Sequence, residues 1–403
     1  MNYNKNRFSA LLAGAMLLLT ALDACRQEED ITSPTLISYT TLVYMAADNS
    51  MDSEVDYTLE ELKSGAASSA GTVVVYLDRQ DETPRLFTIT QSGEEELLKT
   101  YDEGNAASAS TLAAVIADAK SLVPADQFGL VLWSHGMGWL PYAHSSVKSQ
   151  LLRVGTTSFP QTRYVCLDQY DGTSTSPNVM EIDSLANALP DNVAEYIWFD
   201  ACLMGSVETL YQLRNKCSYF VASPTEVLAE ATYDASGIPY SEVLPYMFGG
   251  KDDLVKACGY YMKHYRSLQY SILRSASITL VDAAELDSLY GSVATIFGGN
   301  LSSLASLDTT GIQGYHTDNV PKVFFDMREV VKTTDSSSTA YTAFTQQLAR
   351  TVLYKDATDE IIDELSIDTS RCSGLSMYIP LTKWKATNEY SYYFNNLGWS
   401  GVY

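Results

Sequence analysis

Two stretches of the chain are apolar without alternation and end abruptly on reactive side chains. Residues 130–133 (Leu-Val-Leu-Trp) run into Ser134, His135 and Gly136, and residues 196–199 (Tyr-Ile-Trp-Phe) run into Asp200, Ala201 and Cys202. Short, continuous apolar runs rich in β-branched and aromatic residues read as strands buried on both faces of a parallel sheet. Runs of the same kind over residues 40–45, 72–77, 87–90, 278–281 and 374–379 predict further strands, and amphipathic patterning over 110–122 and 340–354 predicts helices. Strands alternating with helices imply an α/β fold whose mainly parallel sheet carries helices on both faces. Order is expected from about Leu36, with no internal repeat or low-complexity tract.

In open α/β sheets the reactive groups gather beyond the carboxyl ends of the strands. The two runs place His135 and Cys202 there. A free thiol is little ionised at neutral pH and needs an imidazole or an electropositive setting to become a nucleophile, which His135 can supply. Gly136 has no Cβ, so its backbone N–H can approach a substrate carbonyl oxygen and, with the Cys202 N–H, form an oxyanion hole. A buried Cys or a lone His after a strand is ordinarily structural. Both residues at equivalent strand ends, each suited to the same reaction, point instead to a Cys-His dyad.

The pattern strand, His-Gly, strand, Asp-Ala-Cys resembles the signature of the caspase-like cysteine peptidases, and the whole chain is similar to the clostripain family. TLVYMAADNSMDSEV, VVVYLDR, DACLMGSVETLYQL, ASPTE and CSGLSMYIP follow in the family's order. The resemblance implies a caspase-like α/β/α sandwich over residues 37–250, completed by a smaller helical and mixed region over 251–403. It implies endopeptidase activity on protein or peptide substrates, with a preference for Arg or Lys before the cut bond. It also implies a pocket carboxylate: Asp200 matches the acidic position two residues before the nucleophile, Glu226 is a second candidate wall, and Glu230 and Asp234 are weaker ones. The stretch after Ser223 departs from the Gly-rich, Trp-containing loop of the best-known members. Self-cleavage after a basic residue between the dyad positions is a further implication, with Lys148 and Arg153 as candidates in a Ser/Thr/Gln-rich connection that also holds Arg163; a solvated loop is the alternative. Calcium dependence occurs in the family, but no ligand set carries over: residues 48–59 lack the Gly and bidentate Glu of an EF-hand loop, having Ser53 and Leu59 there, and Asp48 to Ser53 read as caps of the following helix.

With 403 residues, 46% of them hydrophobic and 19% charged, the chain has ample material for a large core. A net charge of −23 argues against a nucleic-acid partner and suits a basic peptide, though it serves solubility equally well. Of six cysteines, Cys166, Cys217, Cys258 and Cys372 are scattered and read as core residues. His144, His264 and His316 stand apart at no zinc-ligand spacing, so no metal and no other cofactor is assigned.

The N-terminus has a basic stretch at Lys5 and Arg7, an apolar segment over 8–22, and Ala24 before Cys25. That is the pattern of a secretory signal and too short for a membrane span. Residues 22–25 resemble a bacterial lipobox with Asp23 as a departure, and Glu28-Glu29-Asp30 resembles a Bacteroidetes surface-export signal. The expected mature chain starts at Cys25, is lipid-anchored at the outer membrane or cell surface, and carries a polar tether over 25–36; an ordinary signal peptide cut elsewhere, giving a periplasmic or secreted protein, is the alternative. Two other activities remain open on the same residues: a non-catalytic surface binding protein that keeps the fold, and a transpeptidase. Replacing Cys25 by Ser removes the acceptor for lipid. The variant is expected to leave the membrane fraction on cell fractionation, and unchanged fractionation would contradict anchoring.

Overall fold

Strand β1 (Tyr39–Ala47) is buried along its whole length. Its alternating side chains divide between two cores: Leu42, Tyr44 and Ala46 enter one, Val43, Met45 and Ala47 the other. A strand covered on both faces cannot alternate apolar with polar residues, which is why this stretch reads as continuous hydrophobicity. The computed structural model describes residues 38–102, 104–141, 166–168, 178–299, 301–316, 322–335, 338–362 and 365–403. The signal, tether and Cys25, together with His144, Lys148, Arg153 and Arg163, lie outside the described residues.

Eight more strands join β1 in one sheet: β2 (Thr72–Arg79), β3 (Arg85–Ile89), β4 (Glu95–Thr100), β5 (Gln127–Trp133), β6 (Ala194–Asp200), β7 (Cys217–Ala222), β8 (Ser277–Asp282) and β9 (Val352–Ala357). The spatial order is β9-β8-β7-β6-β5-β1-β2-β3-β4. Neighbours from β7 through β6, β5 and β1 to β2 are parallel, and antiparallel strands extend both edges. One face is covered by α1 (Val55–Ala66) and α5 (Lys251–Ser267), whose Leu59, Leu62, Leu254 and Met262 enter that core. The other is covered by α2 (Ala109–Leu122), α3 (Ile182–Ala188), α4 (Val207–Gln212) and α6 (Leu286–Phe297). Each fully buried Leu, Val or Phe in these layers contributes about 1.5–3 kcal/mol of transfer free energy. The sheet with helices on both faces is the caspase-like α/β/α sandwich expected above.

Gly129 locks the centre of the sheet. It faces Tyr196 in the parallel register, and a Cβ at Gly129 would lie 2.4 Å from the Tyr196 ring. Without that Cβ the ring crosses β5, and its hydroxyl reaches Thr41 Oγ1 on β1 at 2.9 Å. Three strands are thereby tied in one register.

Residues 38–403 form a single compact unit. The region after residue 250 contributes β8 and β9 to the same sheet, as well as α7 (Met327–Thr334), α8 (Thr339–Thr351) and α9 (Asn388–Asn396). The helix expected over 340–354 stops at Thr351, and Val352 begins β9; the apolar residues there satisfy either period, and pairing of Leu280 with Tyr354 decides for the strand. The strand expected over 374–379 shrinks to Ser376–Met377, paired with Phe325–Asp326. Among the described residues no helix is long and apolar enough to cross a membrane.

Candidate active site

The parallel pairing of β5 with β6 sets Trp133 opposite Asp200, so His135 and Cys202 leave adjacent strands at the same height. Ser134 N–H continues the pairing to the Asp200 carbonyl at 3.4 Å. The two loops then press together: a Cβ on Gly136 would lie 2.5 Å from the Cys202 carbonyl oxygen and 2.9 Å from its nitrogen. Only glycine permits this approach. It brings together the backbone N–H groups of Gly136 and Cys202, the pair expected to bind an oxyanion.

The turn after Cys202 is strained. Leu203 has φ +61°, a left-handed conformation that a branched side chain adopts at a cost of about 1–2 kcal/mol. Hydrogen bonds hold it: Leu203 N–H donates to Thr225 O at 2.9 Å and Gly205 N–H to Ser223 O at 2.8 Å. Beyond the turn, Ser206 caps α4 by accepting the Thr209 N–H. Ser376 N–H donates to Gly205 O at 3.0 Å, and Tyr378 N–H to the buried Glu208 carboxylate at 2.7 Å. Burial pushes Glu208 up to about 8. Tyr378 in turn packs on Trp139, with ring centroids 4.7 Å apart, so the C-terminal segment braces the His135 loop as well as the Cys202 loop.

The zipper from Ser223 to Thr225 delivers Val227 to the thiol. Cys202 Sγ accepts the Val227 N–H at 3.0 Å and lies 3.6 Å from its carbonyl oxygen. His135 Nε2 lies 3.0 Å from Ser50 Oγ. Cys202 is 1% exposed and His135 2%, so a substrate cannot reach them until neighbouring segments move. The other four described cysteines, Cys166, Cys217, Cys258 and Cys372, are free and buried, and burial pushes their thiols up, that of Cys166 to about 12. They are core residues that resist becoming thiolates.

Asp200, two residues before Cys202, is buried. Its carboxylate accepts the Ile238 N–H at 3.2 Å and the Tyr240 hydroxyl at 3.1 Å. Burial pushes it up to about 7, with those two donors pulling the other way. Gly237, at φ +59°, lies against it; a Cβ there would stand 2.6 Å from Oδ1. Asp200 lines a cavity of about 10 Å³ with Val227, Ile238, Tyr261 and Ser277, room for about one water and none for an Arg side chain. Glu226 is not among the residues lining that cavity, and its carboxylate lies 3.7 Å from His316 Nε2. Glu230 is pushed up by burial and by Glu54, and Asp234 accepts the Tyr57 hydroxyl.

The acidic loop after β1 does not cap α1, which has no side-chain cap. Asp52 instead binds Arg79 at 2.9 Å and Asp56 binds it at 2.8 Å, a stronger partner than free N–H groups. Among the described residues no group of His, Cys, Asp or Glu is arranged to hold a metal. Sequence reasoning missed Ser50, the Val227 backbone and the Glu226–His316 contact. The one available signal was the position of Ser50 at the carboxyl end of a strand.

The clostripain family model matches residues 43–401. An inactive zymogen C11 protease from Parabacteroides distasonis is similar at 29% identity and a TM-score of 0.74, covering 90% of this chain and 97% of that one. A secreted C11 cysteine protease from Bacteroides thetaiotaomicron, solved in complex with an irreversible peptide inhibitor, is 27% identical with a TM-score of 0.73, covering 91% and 98%. No curated protein sequence matches the chain.

The Gly136 contact has a direct test. Gly136→Ala forces backbone apart at Cys202 and is expected to cost about 1–3 kcal/mol in urea unfolding and to lower kcat/KM by roughly 10- to 100-fold by displacing the oxyanion donors. Wild-type stability and turnover in this variant would contradict the close packing.

Proposed function

Since the chain belongs to the clostripain family and is a cysteine peptidase, we propose that it is an endopeptidase working through a Cys202–His135 dyad and cleaving after Arg or Lys. The carrying observation is the register that sets both residues at one sheet edge with Gly136 against the Cys202 backbone. Cys202 Sγ attacks the scissile carbonyl carbon as its proton passes to His135. The carbonyl π pair moves onto oxygen, where the Gly136 and Cys202 N–H groups receive it. The imidazolium then protonates the leaving amine as the C–N bond breaks. Water, deprotonated by His135, releases the acyl group and restores the thiol.

Basic specificity follows from the carboxylate two residues before the nucleophile. A substrate guanidinium or ammonium entering beside Asp200 replaces the Tyr240 and Ile238 donors as its partner and holds the carboxylate ionised. Entry requires the segment from Thr225 to Ile238 to open, bringing Glu226 within reach as a second wall. Cutting after Lys148 or Arg153 is the activation step consistent with the closed site. The protein acts outside the cytoplasm, anchored through lipid on Cys25, on protein or peptide substrates.

A peptide library with mass-spectrometric product analysis tests the reading. Wild type should cut after Arg or Lys, and Cys202→Ala or His135→Ala should abolish cutting. Asp200→Asn should lower kcat/KM for Arg substrates by tens to thousands of fold, the range that follows from about 2–5 kcal/mol for a broken buried charge pair, and should affect neutral substrates much less. Equal losses on both classes would make Asp200 structural, joined peptides would indicate a transpeptidase, and no reaction with any peptide would leave a binding protein.

A further inference from the structure

We propose that Ser50 is the third member of the catalytic set, a positioning residue that holds the His135 imidazole. The inference rests on the dyad reading above and adds a residue to it. Ser50 Oγ lies 3.0 Å from His135 Nε2, across a sequence separation that only the sheet order closes: β1 lies beside β5, with Met45 opposite Trp133.

The contact is built. The Ala46 carbonyl at the end of β1 accepts from two side chains, Asn49 Nδ2 at 2.8 Å and Ser134 Oγ at 2.9 Å. Asn49 is the residue before Ser50 and Ser134 the residue before His135, both 1% exposed. One oxygen thus fastens both neighbours of the pair. Asn49 Oδ1 also accepts the Met51 N–H at 2.8 Å, which closes the turn on the other side of Ser50. A two-pronged staple of this kind fixes the backbone on either side of the pair and so places the exposed Ser50 side chain beside the ring.

A hydroxyl suits the task because it works in both protonation states of the ring. It accepts from Nε2–H when the ring is imidazolium or the Nε2–H tautomer, and it donates to a bare Nε2. With Nε2 engaged by Ser50, proton traffic with the thiol and the leaving amine runs through Nδ1. The Nε2–H tautomer is the one that can take the thiol proton on Nδ1. Ser50 then stays bonded while the ring gains and returns that proton, and the ring is kept from turning about its χ2 axis. The same turn continues into Glu54, whose carboxylate accepts the Ala231 N–H at 2.9 Å. The loop after β1 thereby orients the base and also anchors the segment that must open for substrate.

The test compares wild type, Ser50→Ala and Ser50→Thr in the mature chain. Ser50→Ala should lower kcat roughly tenfold with KM within about twofold, since orientation of the base is lost and substrate contacts are not. Ser50→Thr restores the hydroxyl and should recover most of the loss. In ¹⁵N-histidine NMR spectra, with His135→Gln supplying the assignment, Ser50→Ala should shift the His135 ring nitrogens toward a mixture of tautomers, while His264 and His316 keep their positions. Active wild type with unchanged kcat and unchanged His135 resonances in Ser50→Ala overturns the Ser50 assignment alone. A fall in activity that Thr does not rescue, with His135 resonances unmoved, makes Ser50 structural and overturns it as well. A wild type that turns over no peptide removes the dyad reading and this inference with it, whatever the spectra show.

Discussion

The parallel pairing of β5 with β6 is the constraint on which the site depends. A parallel pair brings two chain segments to the same sheet edge only if their registers agree, and a slip of one residue would turn every side chain of β6 to the opposite face. Gly129 and Tyr196 guard against that slip: the ring fits only where the Cβ is missing, and its hydroxyl finds Thr41 only from that position. With Trp133 and Asp200 thus opposed, His135 and Cys202 emerge side by side with no further information required. Gly136 then allows the backbones to close to contact. Mispairing would cost the cores on both faces at once, so the energy that fixes the catalytic geometry is the same energy that folds the sheet.

Around this edge a second set of contacts keeps Cys202 covered. Val227 meets the thiol through backbone alone, and the segment bearing it is zipped to the Cys202 turn by the Ser223 and Thr225 carbonyls. On the far side the same segment is moored to the β1–α1 loop and α1 through Glu54, Tyr57 and Glu61, which bind Ala231, Asp234 and Ser241. Each such hydrogen bond is worth roughly 0.5–1.5 kcal/mol, more where a carboxylate accepts, and Leu228, Ala229, Ala235 and Ile238 of the same segment are buried in the core on that face. The molecule therefore sets His135 and Cys202 at one sheet edge beneath a segment that is itself part of the core, with a small cavity beside Asp200.

Much of this was legible in the sequence where local pattern and tertiary role coincide. The strands carrying His135 and Cys202 are buried on both faces, so their continuous apolar runs identify them without knowledge of their neighbours. Gly136 is legible too, because an oxyanion hole needs a backbone that nothing crowds. Partnerships set by sheet order were not legible. The loop after β1 reads locally as a run of helix caps, but Asp52 turns to Arg79 and Ser50 turns to His135 because β2 and β5 flank β1. The His316 imidazole beside Glu226, far along the chain, was equally hidden. The end of α8 was misplaced by three residues because Val352, Leu353 and Tyr354 suit helix or strand equally until β8 pairs with them.

The proposed reaction makes Cys202, alone among the described cysteines, the activated nucleophile. Treating the mature chain with a peptidyl chloromethyl ketone ending in Lys, followed by proteolysis and mass spectrometry, tests it directly. A single adduct on Cys202 is expected, lost in His135→Ala, with Cys166, Cys217, Cys258 and Cys372 unmodified. Labelling spread over the other cysteines, or an adduct on Cys202 that forms equally fast without His135, would contradict it.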